Sequence, residues 1–172
     1  HLSPPPPKLT AVGGLSGSGK STFARLIAPG LGASPGAVVL RTDEIRKRLL
    51  GVAPDASLPS TVYSPAFYAE VYEALLSEAR TLLAAGRAVV VDATFIQPDL
   101  RARVENLARD AEASALLAWQ IRRREGERIV LAGAGLAADA ARCAGILRAH
   151  GFHVRDYPEF DGVAAERLAG IE

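Results

Sequence analysis

Short apolar runs alternate along this chain with stretches whose apolar residues recur every three or four positions. The runs are Leu9–Gly13, Ala37–Leu40, Ala88–Asp92 and Ala115–Trp119. They are near-continuously apolar, as strands covered on both faces are. Between them Lys20–Ala28, Glu44–Leu50, Ala66–Ala85 and Pro98–Ala113 read as helices. The strongest is 66–85, with Phe67, Val71, Ala74, Leu75 and Leu82 on one side. Gly86 stops it, and Pro98 suits the first turn of the next helix. This alternation predicts an α/β fold built on a parallel sheet. After Gln120, Ile129–Ala132 and Phe152–Arg155 read as further strands and Leu136–His150 as an Ala-rich helix. Val163–Ala169 would add a last helical turn or two. A helix so poor in large apolar residues cannot form its own core, so this tail is expected on the same sheet. Gly51–Pro65, with Pro54, Pro59 and Pro65, has no period and reads as a long functional or mobile loop.

Composition narrows the class. The 172 residues fit one domain, and 49% hydrophobic content makes the chain globular. Twenty basic against nineteen acidic residues leave a net charge of +1, so no strong field points to nucleic acid or membrane. No apolar run has membrane-spanning length, and no zinc-site spacing is present. The single Cys143 cannot form an internal disulfide, which suits a reducing cytoplasm, and it reads as a small core residue. Residues 1–8 are Pro-rich and read as a linker or a tag remnant, ahead of one domain over 9–172.

The chemistry begins where the first strand meets the first helix. Gly14-Leu15-Ser16-Gly17-Ser18-Gly19-Lys20-Ser21 is a complete G-x-x-x-x-G-K-[ST] phosphate-binding loop. Its glycines let the backbone turn its N–H groups inward, and the helix that follows adds its positive dipole end. Gly14, Ser16, Gly17, Ser18, Gly19, Lys20, Ser21 and Thr22 are the candidate triphosphate contacts. Lys20 supplies charge to the phosphates, and the Ser21 hydroxyl is a Mg²⁺ ligand candidate. Asp92 closes the strand Val89-Val90-Val91, where phosphate-loop proteins hold Mg²⁺; capping of the next segment is the alternative. Asp43 closes the second strand, with Arg46 one helical turn on. A fixed carboxylate there suits a general base for a hydroxyl nucleophile, and the arginine a substrate contact. An N-cap Asp43 beside a solvated Arg46 fits the same spacing.

Together, Gly13–Thr22, Arg41–Leu49 and Val89–Phe95 resemble the small P-loop kinases, in particular the kinase domain often fused behind an aminoglycoside-phosphotransferase-like domain. Polynucleotide 5′-hydroxyl kinases, gluconate and shikimate kinases, chloramphenicol phosphotransferase and zeta toxins are more distant relatives. The resemblance covers about residues 8–119. It implies a three-layer P-loop NTPase fold with strand order 2-3-1-4-5, ATP and Mg²⁺, and transfer to a substrate hydroxyl. By position it makes Asp43 the base, Arg46 a substrate contact, Asp92 a group serving Mg²⁺ or substrate, and Arg101 a secondary substrate-side candidate. An upstream fused domain is the partner it suggests.

After Trp119 the sequence departs from that pattern. Where the family carries a helical lid with spaced arginines, this chain has Arg122-Arg123-Arg124. Arg124 with its neighbours reads either as a shortened lid that stabilises phosphoryl charge or as a solvated basic turn. Gly133-Ala134-Gly135 before a helix, with Asp156 at the next strand, imitates a dinucleotide fingerprint, but the chain is too short for a second nucleotide domain. A rhodanese-like half fails because Cys143 falls inside a helix. His150 and His153 read as surface residues. Tyr63, Phe67, Tyr68 and Tyr72 read either as an acceptor pocket or as an aromatic core face. The expected function is phosphoryl transfer from ATP to a hydroxylated small molecule. The alternative is a nucleotide-binding accessory module of a larger polypeptide. Near-neutral charge disfavours a nucleic-acid kinase, and no guanine motif supports a GTPase.

Overall fold

The computed structural model describes residues 7–14, 19–59, 62–95, 97–123, 126–132, 137–151 and 153–157. Among them six strands form one sheet: β1 (Lys8–Gly14), β2 (Val38–Arg41), β3 (Val89–Asp92), β4 (Ser114–Arg123), β5 (Gly126–Ala132) and β6 (His153–Tyr157). Five α-helices accompany them: α1 (Lys20–Ile27), α2 (Thr42–Leu49), α3 (Pro65–Ala84), α4 (Pro98–Asp110) and α5 (Ala137–Ala149). The spatial order is β2-β3-β1-β4-β5-β6, which is the 2-3-1-4-5 order implied by the resemblance, extended by one strand.

The sheet is parallel from β2 through β4 and again between β5 and β6, but β4 and β5 pair antiparallel. The expected parallel sheet is thus present, with one antiparallel pair within it, and the reason for that pair is chain length. Only residues 124 and 125 separate β4 from β5, whereas a parallel crossover needs about a dozen or more residues. β4 is also twice the length of the expected Ala115–Trp119, so Arg122 and Arg123 are strand residues, with Glu127 and Gly126 as their partners across the hairpin. The strands expected in the tail do join the same sheet, with α5 as the crossover from β5 to β6. Val163–Ala169 and the Gly133–Gly135 turn lie outside the described residues, as do residues 1–6.

Strand periodicity divides the core into two layers. Leu9, Ala11, Leu40, Val89 and Val91 face a cluster containing Ile45 of α2, Val71, Leu75 and Leu83 of α3, and Val104 and Leu107 of α4. Val12 and Val90 face the opposite way, onto Phe23 and Ile27 of α1 and Cys143, Ala144 and Leu147 of α5. Cys143 is a buried core residue, as expected. The long helix α3 starts from Ser64, whose hydroxyl accepts from Phe67 N–H, followed by Pro65 at its first position. Between α1 and β2 the chain turns on Gly36. Its φ of 106° and an Ala28 carbonyl oxygen 2.5 Å from where a Cβ would stand leave room for no side chain.

Two substitutions test this packing. Leu75, fully buried in α3, should cost about 2–5 kcal/mol when changed to Ala. Gly36→Ala should also destabilise, because strain and a backbone clash add. Urea unfolding should show both as lowered midpoints.

Candidate active site

The candidate side chains gather at the carboxyl ends of β1, β2 and β3, where four helices begin. The phosphate loop leaves β1 at Gly14, and Gly19 returns the chain to α1 in the left-handed region, at φ 88° and ψ 7°. A glycine suits that N-cap, since the left-handed region is costly for other residues. Phe23 N–H bonds Gly19 O at 3.0 Å, and no side chain caps the helix. Lys20 is the first helical residue and is buried. Burial lowers its pKa from the ordinary lysine value, and the nearby Asp92 carboxylate opposes that shift.

Asp92 is buried at the end of β3 and forms the centre of a polar knot. Ser21 Oγ donates to Asp92 Oδ2 at 2.7 Å. Arg41, the last residue of β2 and the register partner of Asp92, donates from Nε to the same oxygen at 3.3 Å. Its second nitrogen donates to Ser21 Oγ at 2.9 Å and its third to Glu44 at 2.7 Å. Burial works against the Arg41 charge, but the hydrogen bonds to Glu44 and Asp92 outweigh it and raise the pKa above the usual arginine value. Arg41 escaped the sequence reading. Strand parity would have found it, because in parallel strands ending together the last residues of neighbours share a face.

Asp43 lies in the first turn of α2, one residue past its start. The N-cap is Arg41, so Asp43 is not the cap. Its side chain is 45% exposed, more open than a partly buried base, and it is paired with Lys47 at 3.2 Å and Arg46 at 3.8 Å. Arg46 is buried rather than solvated, with its guanidinium 4.9 Å from the centre of the Tyr63 ring. That stacking is a cation–π contact across the long loop.

A neutral cluster forms the wall beside α3. Tyr68 O–H donates to Tyr72 Oη at 3.0 Å, and Phe95 N–H donates to the same oxygen at 3.3 Å. Tyr72 and Thr94 hydroxyls are 3.2 Å apart, and Tyr68 and Thr94 2.8 Å. The consistent proton arrangement is a closed ring, Tyr68 to Tyr72 to Thr94 and back to Tyr68. Burial pushes the Tyr72 phenol pKa well above its ordinary value, so it stays a donor. Phe95 sits at φ 46°, and the fixed Tyr72 hydroxyl holds that turn. Thus Tyr63 and Tyr68 line the cavity, whereas Tyr72 and Phe67 pack on the core.

A cavity of about 980 Å³ joins these groups. Gly19, Lys20, Ser21 and Thr22 line its α1 side with Asp92, and Asp43, Arg46, Tyr63, Tyr68 and Thr94 line the remainder. Gln97, Asp99 and Arg103 of the α4 end complete it. Arg101 is buried away from this lining, and Arg103, two residues on, occupies the wall while bonded to Glu73 at 2.6 Å. Ser16, Gly17, Ser18 and Arg124 lie outside the described residues. A lid of helical length between β4 and β5 is ruled out, because only Arg124 and Glu125 lie between those strands.

The donor set suits Mg²⁺. Ligands about 2.0–2.1 Å from an octahedral Mg²⁺ stand about 2.9 Å apart, close to the 2.7 Å between Ser21 Oγ and Asp92 Oδ2. Among the described residues no cluster of three or more His, Cys, Asp or Glu forms a dedicated cage. Mg²⁺ held by one or two protein groups together with phosphates needs none.

The strand order, with a phosphate-loop sequence joining β1 to α1, defines a P-loop NTPase fold of the kinase type. Residues 9–131 match the family described as the AAA domain, and the chain belongs to that family. An uncharacterised protein of Mycobacterium tuberculosis strain H37Rv is 39% identical over 118 residues, covering 66% of this chain and 23% of that protein. The chain therefore spans under a quarter of that relative. The M. tuberculosis APS kinase CysC, as a Cys556Ala mutant, is 30% identical with a TM-score of 0.50, over 66% of this chain and 75% of that one. The structure of that kinase in complex with AMPPNP and APS is 22% identical with a TM-score of 0.52, over 96% and 97% of the two chains. Among the described residues no helix is long and apolar enough to cross a membrane.

The hydroxyl ring yields a stability test. Tyr72→Phe removes the acceptor of the buried Phe95 N–H and should cost about 1–3 kcal/mol. Tyr68→Phe leaves that acceptor in place and should cost less. Thermal melts of the two variants compare them directly.

Proposed function

We propose that this protein transfers the γ-phosphoryl group of ATP to a hydroxyl of a small-molecule acceptor, with Mg²⁺ as cofactor. The P-loop kinase fold is a fold of nucleotide-dependent phosphoryl transfer. One observation carries the finer reading: Lys20, the Ser21–Asp92 oxygen pair and the Asp43 carboxylate all face one cavity. In this reading Gly14 to Thr22 cradle the triphosphate and Lys20 lies against its outer phosphates. Mg²⁺, held at Ser21 and Asp92, would supply neutralisation of phosphate charge. Asp43 accepts the acceptor's hydroxyl proton as its oxygen attacks phosphorus in line, and the bond from phosphorus to the ADP oxygen breaks. Arg46, propped by Tyr63, holds the acceptor against Asp43. Such transfer asks for positioning and charge compensation more than covalent chemistry.

The pairing of Asp43 with Lys47 and Arg46 is compatible with that role. It holds the carboxylate beside the cavity, and at 45% exposure the side chain stays within reach of an acceptor. The alternative is a nucleotide-binding accessory module of a larger polypeptide. The two-residue hairpin link in place of a lid favours it, as does the short share of the curated relative that this chain spans.

Two variants test the reading. Lys20→Ala should weaken ATP·Mg²⁺ binding by about 100-fold in calorimetric titration, while the melting curve stays cooperative. Unchanged affinity would remove the loop from the site. Asp43→Asn should bind ATP within about threefold of wild type yet lose about 10²–10⁴ of transfer, scored as labelled phosphate moved from ATP onto a panel of sugars and polyols. Equal loss of binding and transfer would assign Asp43 to structure or metal instead. ATP binding without transfer to any acceptor by the wild-type protein would favour the accessory module.

A further inference from the structure

The same oxygens that suit Mg²⁺ are already bonded to a cation of the chain itself. Ser21 Oγ gives its proton to Asp92 and receives an Arg41 N–H at 2.9 Å. Asp92 Oδ2 receives both the Ser21 proton and the Arg41 Nε–H at 3.3 Å. The lone pairs that would face a metal therefore face a guanidinium. A guanidinium and a divalent ion cannot share that oxygen pair, since both are cations and neither screens the other at such range. Arg41 also has a second anchor. Its 2.7 Å bond to Glu44, whose side chain is 52% exposed, lies on the open side of the knot. Leaving Asp92 and Ser21 would not strand the charge, because Glu44 would still hold it.

We propose that Arg41 is a built-in counter-cation that occupies the Ser21–Asp92 metal site until nucleotide and metal arrive together. This rests on the reading of Ser21 and Asp92 as the metal-binding pair. The buried Asp92 carboxylate needs a positive partner, and Lys20 together with Arg41 supplies it. A triphosphate brings several negative charges to the loop. That change makes room for a further cation, so Mg²⁺ enters with its nucleotide, and Arg41 withdraws onto Glu44. Free metal alone meets a site whose charge is already balanced. Arg41 is thus a positioning residue that sets the order of loading.

The test uses Mn²⁺ as the metal probe, with free Mn²⁺ read by electron paramagnetic resonance. Without nucleotide, Arg41→Ala should bind Mn²⁺ about tenfold more tightly than wild type. Adding Asp92→Asn to that variant should abolish the gain. Arg41→Lys keeps the charge but cannot bridge two oxygens with a planar fork, so it should fall between them and guards against a misfolded alanine variant. With ATP present, the difference in Mn²⁺ binding between wild type and Arg41→Ala should shrink. If Arg41→Ala and Arg41→Lys bind free Mn²⁺ no better than wild type, while Asp92→Asn alone still weakens Mn²⁺·ATP binding, the counter-cation idea is wrong and the metal site stands. If Asp92→Asn leaves Mn²⁺·ATP binding intact, the metal site itself is wrong and the proposal falls with it.

Discussion

Parallel hydrogen bonding between β1 and β3 sets Val12 opposite Asp92, and the strands stay in contact beyond their ends. Ala93 N–H donates to Val12 O at 3.2 Å, and Gly14 N–H to Thr94 O at 3.3 Å. The phosphate loop is therefore tied at its first glycine to the segment that carries Asp92 and Thr94. Side-chain parity does the rest. Asp92 has the parity of Val90, which packs against α1, so its carboxylate emerges beside Ser21 at the start of that helix. A slip of one residue would send the carboxylate to the α3 side and remove it from the loop. The pairing of β2 with β3 repeats the logic and places Arg41 beside Asp92.

The two layers of the core feed this edge differently. The layer under α1 and α5 fixes the α1 side of the cavity, because Phe23 and Ile27 anchor the helix that carries Lys20 and Ser21. The layer under α2, α3 and α4 fixes the other side, through Ile45 beneath Asp43 and Arg46 and through Tyr72 beneath Thr94. Helix pairs on that side are clamped at their surfaces by Arg48 with Glu78 and by Arg103 with Glu73. Exposed pairs of this kind add little stability, and apolar contact holds the layer.

Elements with strong periodicity were legible from the residues alone. α3 starts one residue before its expected position because Ser64-Pro65 forms its cap and first turn. The phosphate loop and Asp92 could be placed at strand ends because short apolar runs stop there, whereas Asp43, expected to close the second strand, lies in the first turn of α2 because β2 ends at Arg41. What was not legible depended on pairing between distant strands. Arg41 follows an apolar run and looks like the start of a loop, and only its register with Asp92 shows its contacts. The antiparallel turn after β4 was hidden because Arg122 and Arg123 look like turn residues. The connecting Arg124-Glu125 also lacks the Asn-Gly or Asp-Gly signal that marks most two-residue hairpins. Arg101 was suggested by family position alone; Arg103, about 200° further round the same helix, is the arginine on the cavity wall.

The cavity has one wall of ions and one wall of hydroxyls, and the two answer to different solvents. Lys20, Arg41, Glu44 and Asp92 interact through charge, and Glu44 is open to water. Dissolved ions screen such groups over about 8 Å at physiological ionic strength. Tyr68, Tyr72 and Thr94 hold one another through neutral hydrogen bonds that a salt atmosphere barely touches. Ionic strength is thus a selective handle on this molecule: raising it weakens the open Arg41–Glu44 pair first, while the buried Asp92 contacts and the hydroxyl wall against α3 keep their shape.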